Sequence, residues 1–254
     1  MNLKHLPQSL KVSALALILG SGAAVTHAEI NYYECVDMGF ISTTHKTAVG
    51  TVATSNKGTE IMLVKDNKLQ TLVSGPGAGM YVNYSKDGKY VGFKKIDNKT
   101  GEQAPAVLDL TTGAVRLLES YVNQCGQVSF ADDGTMAYTV GNDLIVRKGD
   151  SRRKFSLGTY VNIANISPDA TQVAYSDLDG NSFILTVADG SVQKVAEGGG
   201  YRAIWSPDGK KLALQYINGD AASYDKASRT VYPLGQVNSI SWADNSEELV
   251  VTRS

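Results

Sequence analysis

Histidine is almost missing from this 254-residue chain: there are only His5, His27 and His45. The first two lie in residues 1–28, which read as a removable address, so His45 alone would stand in the mature protein. A Ser-His-Asp or Cys-His nucleophile system needs a base, and the common zinc sites need several imidazoles or thiolates. One histidine with two cysteines, Cys35 and Cys125, cannot assemble these sites, so no metal, cofactor or catalytic residue is expected. An excess of positive charge is missing too. Lys and Arg number 24 against 25 Asp and Glu, a formal net charge of −1, without the basic surplus that phosphate backbones attract. Nucleic acid is therefore not an expected partner. Long apolar runs are also lacking: Val12–Leu19 is too short to cross a bilayer, which takes about 20 residues. No membrane span is expected. With 43% hydrophobic and 19% charged residues, the composition is that of a folded globular chain.

What is present at the start is directional. Lys4 and Lys11 precede and flank a short apolar core, Gly20 to Ala24 are small, and Thr26-His27-Ala28 forms a small-residue cleavage site. This is the layout of a secretory signal peptide cut after Ala28. Glu29 follows rather than cysteine, so a lipid anchor is not expected there. Removing the segment leaves 226 residues, and because it holds two lysines and no acid, the formal charge moves from −1 to −3. The expected organisation is a signal peptide over 1–28 and one domain over 29–254, exported to the periplasm or secreted.

The remainder repeats. Four-residue turns recur as Ser85-Lys86-Asp87-Gly88, Ala131-Asp132-Asp133-Gly134, Ser167-Pro168-Asp169-Ala170, Ser206-Pro207-Asp208-Gly209 and Ala243-Asp244-Asn245-Ser246, spaced by 46, 36, 39 and 37 residues. Apolar residues stand three and one before each turn, the period of a strand. A second strand with a bulky-small-bulky centre follows: Val91-Gly92-Phe93, Met136-Ala137-Tyr138, Val173-Ala174-Tyr175 and Leu212-Ala213-Leu214, with Leu249-Val250-Val251 a looser copy. Pro presets φ at the first corner, Asp bonds back to the backbone and Gly accepts positive φ, so each unit opens with a hairpin. Further hairpins turn at Thr112-Gly113 and Asp189-Gly190, giving four short strands per unit. Four antiparallel strands about every 40 residues define a β-propeller blade. Six starts, at Tyr33, Tyr81, Tyr121, Tyr160, Tyr201 and Gln236, predict six blades. The fold class is all-β, a six-bladed propeller whose short last blade is closed by an N-terminal strand at Glu29–Tyr33. In the first blade, Thr43 is expected to open the hairpin turn, with His45 in it, and Val49-Gly50-Thr51 to match Val91-Gly92-Phe93.

The Ser-Pro-Asp-Gly turns, the following Leu-Ala-Leu or Val-Ala-Tyr strands and Leu108-Asp109-Leu110-Thr111-Thr112-Gly113 resemble the Pro-Asp, WD-like repeats of TolB-like β-propellers. The resemblance covers Tyr33 to Ser254 and is architectural. It departs from that family in leaving no room between Ala28 and Tyr33 for the family's additional N-terminal α/β domain.

Candidate chemistry is sparse. Asp177-Leu178-Asp179-Gly180-Asn181 resembles the start of a calcium loop but has Ala188 where the bidentate Glu belongs, and reads as a turn. Gly198-Gly199-Gly200 lacks a following Lys or helix and reads as a loop between blades. Lys94 to Pro105 reads as a polar, solvated insertion or a docking loop. Cys35 and Cys125 permit a disulfide in an oxidising compartment, across a loop of about 90 residues that would be worth about 4 kcal/mol. The loops leading into each blade place Tyr81, Asn83, Tyr121, Asn123, Tyr160, Asn162, Tyr201, Arg202 and Asn238 around one channel mouth, where they could hold a peptide or sugar. The alternative is that the tyrosines pack between blades and the asparagines cap turns. Two functions follow: a monomeric, non-catalytic binding or scaffold module for a protein or peptide of the cell envelope, or a carbohydrate-active lyase or hydrolase at the channel mouth. A cluster of buried acids with raised pKa at the mouth would favour the enzyme; an apolar, tyrosine-rich mouth would favour the binder.

Overall fold

The computed structural model describes residues 41–253 except Asn56 and Asn67. Every regular element in them is a strand, and the strands form six antiparallel sheets in chain order. The first holds β1 (Ile41–Lys46), β2 (Thr51–Ser55), β3 (Glu60–Lys65) and β4 (Lys68–Ser74); the second holds β5 (Asn83–Tyr84), β6 (Tyr90–Ile96), β7 (Gln103–Asp109) and β8 (Val115–Leu117). The third comprises β9 (Ser129–Phe130), β10 (Met136–Val140), β11 (Asp143–Lys148) and β12 (Ser151–Ser156), and the fourth β13 (Ala164–Ile166), β14 (Gln172–Ser176), β15 (Ser182–Thr186) and β16 (Val192–Ala196). The fifth contains β17 (Gly200–Trp205), β18 (Lys211–Tyr216), β19 (Asp220–Asp225) and β20 (Thr230–Gln236). The sixth has two described strands, β21 (Ser239–Trp242) and β22 (Leu249–Thr252). The six blades expected from the repeats are these sheets. The closing strand expected at Glu29–Tyr33 lies outside the described residues.

The repeated turns form for the reasons their residues suggest. In the fifth blade the Ser206 hydroxyl donates to Asp208 Oδ1 at 2.7 Å and accepts from Lys211 N at 2.9 Å, while Gly209 takes φ 70°. Ala170 takes φ 61° at the same corner of the fourth blade, a conformation glycine reaches more easily. Asp177 binds the backbone and side-chain nitrogens of Asn181 at 2.8 and 3.1 Å, a turn as expected.

The core is divided among the seams between sheets. Val52, Ile61 and Leu63 of the first blade pack on Val91, Phe93 and Leu108 of the second. Val107 and Leu118 meet Val128, Tyr138 and Ile145; Ala137 and Leu144 meet Val161, Val173 and Leu185. Ala174 and Ile184 meet Trp205 and Leu214, and Ala213 and Ala221 meet Val237 and Ile240. Burying each such large side chain is worth about 1.5–3 kcal/mol, so every blade depends on its neighbours for a core. Small residues set the spacing. A Cβ on Gly92 would stand 2.8 Å from Val128 Cβ.

Two expectations need correction. The first-blade turn is Thr47-Ala48-Val49-Gly50, four residues later than expected, with the Thr47 hydroxyl bonded to Gly50 O at 2.7 Å in place of an Asp-Gly corner. His45 consequently lies in β1, opposite Val52, stacked on Tyr84 with ring centres 3.9 Å apart. Thr51-Val52-Ala53, not Val49-Gly50-Thr51, then matches Val91-Gly92-Phe93. Nor is Lys94–Pro105 a solvated loop: β6 and β7 pair as far as Ile96–Gln103, only residues 97–102 turn, and Lys94 is buried. Apolar alternation weakens at Lys94-Lys95, which hides the continuing strand.

Candidate functional site

Each second strand starts at its hairpin turn and runs back to the end of the sheet where the loop from the previous blade arrives. Two residues beyond its small centre, or beyond the matching Val52 and Val250, stands a polar side chain: Thr54, Lys94, Thr139, Ser176, Gln215 and Thr252 in the six blades. Thr139 Oγ1 donates to Val161 O, Ser176 and Ser182 share a hydrogen bond at 3.0 Å, and Thr252 and Ser239 share one at 2.7 Å. Lys94 is the charged member of this belt.

Lys94 crosses from the second blade to the fourth. Its Nζ donates to Asn162 Oδ1 at 2.5 Å and to Tyr160 Oη at 3.4 Å, and Tyr160 Oη lies 3.0 Å from Cys125 O. Gln127 N binds Asn162 O at 2.9 Å, bringing the loop before β9 to the same residue. Gly126 allows this approach, because a Cβ there would come within 2.9 Å of Val161 O. Burial pushes the Cys125 thiol up to about 11 and the Tyr160 phenol up to about 12, so both are neutral at physiological pH. Burial also pulls the Lys94 ammonium below its ordinary value. Among the described residues Lys94 takes part in no ion pair.

A second feature lies at the fifth and sixth blades. A cleft of about 440 Å³ is lined by Tyr201, Gln215, Tyr216, Ile217, Val237 and Asn238, among others. It shares Tyr216, Ile217 and Asp220 with a larger, mostly apolar cleft of about 800 Å³ that continues over Ala222, Val231 and Pro233. Ile217 is 77% exposed and Tyr201 43%, so the rim offers apolar surface to solvent.

The residues singled out in the sequence thus fall into separate settings. Tyr160 and Asn162 meet at Lys94; Tyr201 and Asn238 meet in the cleft, and Arg202 sits beside Tyr201 in β17 opposite Gln215. Asn83 donates to Val128 O at 2.8 Å, one of several bonds joining innermost strands; Ser129 reaches Ala164 O and Asn165 reaches Ala203 O. Tyr81 is exposed with φ 58°, Asn123 is exposed, and Tyr121 is half-buried beside Val122, which bridges to Gln103. The three Tyr-Val-Asn copies are not equivalent in space, because they stand four, ten and seven residues before their turns. Cys125 is buried, and Cys35, its candidate disulfide partner, lies outside the described residues. Sequence reading missed Lys94, Gln127, Tyr216 and Ile217. The belt was signalled by the polar residue after each Val-Gly-Phe, Met-Ala-Tyr, Val-Ala-Tyr and Leu-Ala-Leu.

Carboxylates in the turns are made stronger acids: the backbone N–H groups of Thr100, Thr111, Ser191 and Ser228 hold Asp97, Asp109, Asp189 and Asp225 below the usual range. Among the described residues no three His, Cys, Asp or Glu side chains gather as a metal site, and no helix is long and apolar enough to cross a membrane.

Sheets of this form packed in sequence define a β-propeller, and solved structures agree. The Cps50 (Swd1) β-propeller domain of Myceliophteria thermophila matches with a TM-score of 0.54 at 15% identity, over 67% of this chain and 60% of that one. TolB from Acinetobacter baumannii matches with a TM-score of 0.58 at 19% identity, over 85% of this chain and 59% of that one. The chain therefore has a TolB-like β-propeller fold, and it spans about three-fifths of each of these relatives. No protein-family model and no curated protein matches it.

Proposed function

We infer that this chain is a non-catalytic, exported β-propeller that docks a protein or peptide of the cell envelope. The observation that carries this reading is the pair of adjoining clefts at the fifth and sixth blades, where Tyr201, Tyr216, Ile217 and Val231 present an apolar, tyrosine-bearing surface. Such surfaces suit protein segments: aromatic and aliphatic anchors give contact area, while Asn238 and Asp220 at the margin supply hydrogen-bonding groups. Asp97, Asp109 and Asp189, held below the usual carboxylate range, are unsuited to act as a general acid of the kind glycosidases use. Tyr160, with its phenol pushed up to about 12, is a poor base for a lyase. Residues 1–28 support export.

A photo-crosslinking residue at Ile217 should capture one envelope protein, and Tyr201→Asp with Asn238→Ala, two exposed residues of the cleft, should abolish capture without changing the circular dichroism spectrum. Capture that survives the double substitution would refute this docking surface. Export is checked separately, by finding the mature chain beginning at Glu29 in the periplasmic or secreted fraction.

A further inference from the structure

Lys94 presents a charge without a partner. The residue is 9% exposed, the two hydrogen-bond partners of its ammonium are the neutral Asn162 and Tyr160, and the thiol of Cys125 is the remaining titratable group acting on it. With Cys125 and Tyr160 both neutral, the cluster holds one positive charge and no negative one. Burying an unpaired ion is costly by several kcal/mol, and an ammonium has three N–H donors where two acceptors are in place. A second observation points the same way. Gln127, 7% exposed, has its side-chain Nε2 buried without a hydrogen-bond partner, and its backbone is bonded to Asn162, the residue that Lys94 grips. The cluster therefore has donors in excess and lacks an acceptor, and the acceptor it lacks is anionic.

The opposite arrangement is what three other members of the belt show. Thr139, Ser176 and Thr252 close their hydrogen bonds on protein oxygens. A lysine at this one position is not needed to close a blade, because a hydroxyl does so elsewhere. We propose that the cluster of Lys94, Gln127, Tyr160 and Asn162 is a binding site for a single carboxylate group, reached from the loop end of the channel through the half-buried Tyr160 and Asn162. A carboxylate suits the cluster because it would accept the free ammonium N–H in a charge-assisted hydrogen bond and supply the negative charge that the neutral Asn162 and Tyr160 do not. This site is separate from the clefts at the fifth and sixth blades and does not depend on them.

The test uses the full mature chain and nuclear magnetic resonance of its side-chain amides. Sodium acetate is compared with sodium chloride at equal ionic strength. Three blocked pentapeptides separate the sources of the group: one with a free C-terminal carboxylate, its C-terminal amide, and the amide carrying one internal glutamate. Acetate and at least one acidic peptide should shift the Gln127 and Asn162 side-chain amide signals saturably, with chloride and the neutral amide leaving them in place. Lys94→Gln should weaken that binding about tenfold or more, the effect of losing a charge-assisted hydrogen bond, while Lys94→Arg retains part of it. Equal effects of acetate and chloride on wild-type protein would overturn the proposal, as would unchanged affinity in folded Lys94→Gln. Should that variant not fold, the wild-type comparison of acid with amide decides alone. Loss of carboxylate binding would leave Ile217 crosslinking untouched, so the two readings fail independently.

Discussion

Gly92→Ala tests the spacing of the blades. Alanine already holds this place in blades three to five as Ala137, Ala174 and Ala213, so the backbone conformation accepts it. At Gly92 the new Cβ would stand 2.8 Å from Val128 Cβ and 3.0 Å from both Val128 Cγ1 and Phe130 Cε2. Carbon atoms prefer about 3.5–4.0 Å, so the second and third sheets must part locally or Phe130 must turn. Overpacking of this kind costs about 1–3 kcal/mol. Replacing glycine inside a strand returns roughly 0.5–1 kcal/mol. The net expectation is a loss of about 0.5–2 kcal/mol, or roughly 1–8 °C in Tm for a chain of this size. Thermal unfolding followed by circular dichroism measures it. Val128→Ala removes Cγ1 and gives the seam room, so the double variant should be more stable than the sum of the two by about 0.5–1 kcal/mol. A Gly92→Ala protein melting at or above wild type, or strict additivity with Val128→Ala, would refute close sheet approach as the reason for glycine here.

Other outcomes follow from single contacts. Asp133 is held at about 2, chiefly by its hydrogen bond from Lys148, so it stabilises the fold above the ordinary carboxylate range and loses this as pH falls toward 2. Asp133→Asn should flatten the pH dependence of urea midpoints between about pH 4.5 and 2, and an unchanged slope would discount the pair. Burial lowers the His45 pKa, so the folded state favours the neutral ring and stability is lost as pH drops below about 6.5. His45→Gln should remove that component, and imidazole resonances that titrate at the ordinary value would contradict it. Trp205→Phe removes the hydrogen bond that the indole donates to Asn165 O at 2.8 Å and should cost about 0.5–1.5 kcal/mol in chemical denaturation.

The architecture was legible because turn chemistry and strand period agree in blades two to five. Ser206, Asp208 and Gly209 each have a local task, and local tasks leave marks in sequence. The first blade was misread where Thr47 replaces the Asp-Gly corner, since a hydroxyl cap has no fixed spacing that distinguishes it from a strand residue. Lys94 was taken for a loop residue because its burial depends on Asn162, 68 positions away. The Tyr-Val-Asn copies misled for a related reason. Loop length, not local pattern, sets where Tyr121 and Tyr160 come to lie, and Asn83 satisfies a backbone carbonyl of the neighbouring blade.

The two tryptophans of this chain sit in comparable places. Trp205 donates to a carbonyl of the fourth blade and Trp242 to Ile204 of the fifth, each across a seam. Intrinsic tryptophan emission is therefore an optical gauge of the later seams alone, blind to the first three blades. Fluorescence and circular dichroism unfolding curves that coincide would show the six sheets dissolving as one cooperative body; an early fluorescence transition would mean that the ring opens from its C-terminal side.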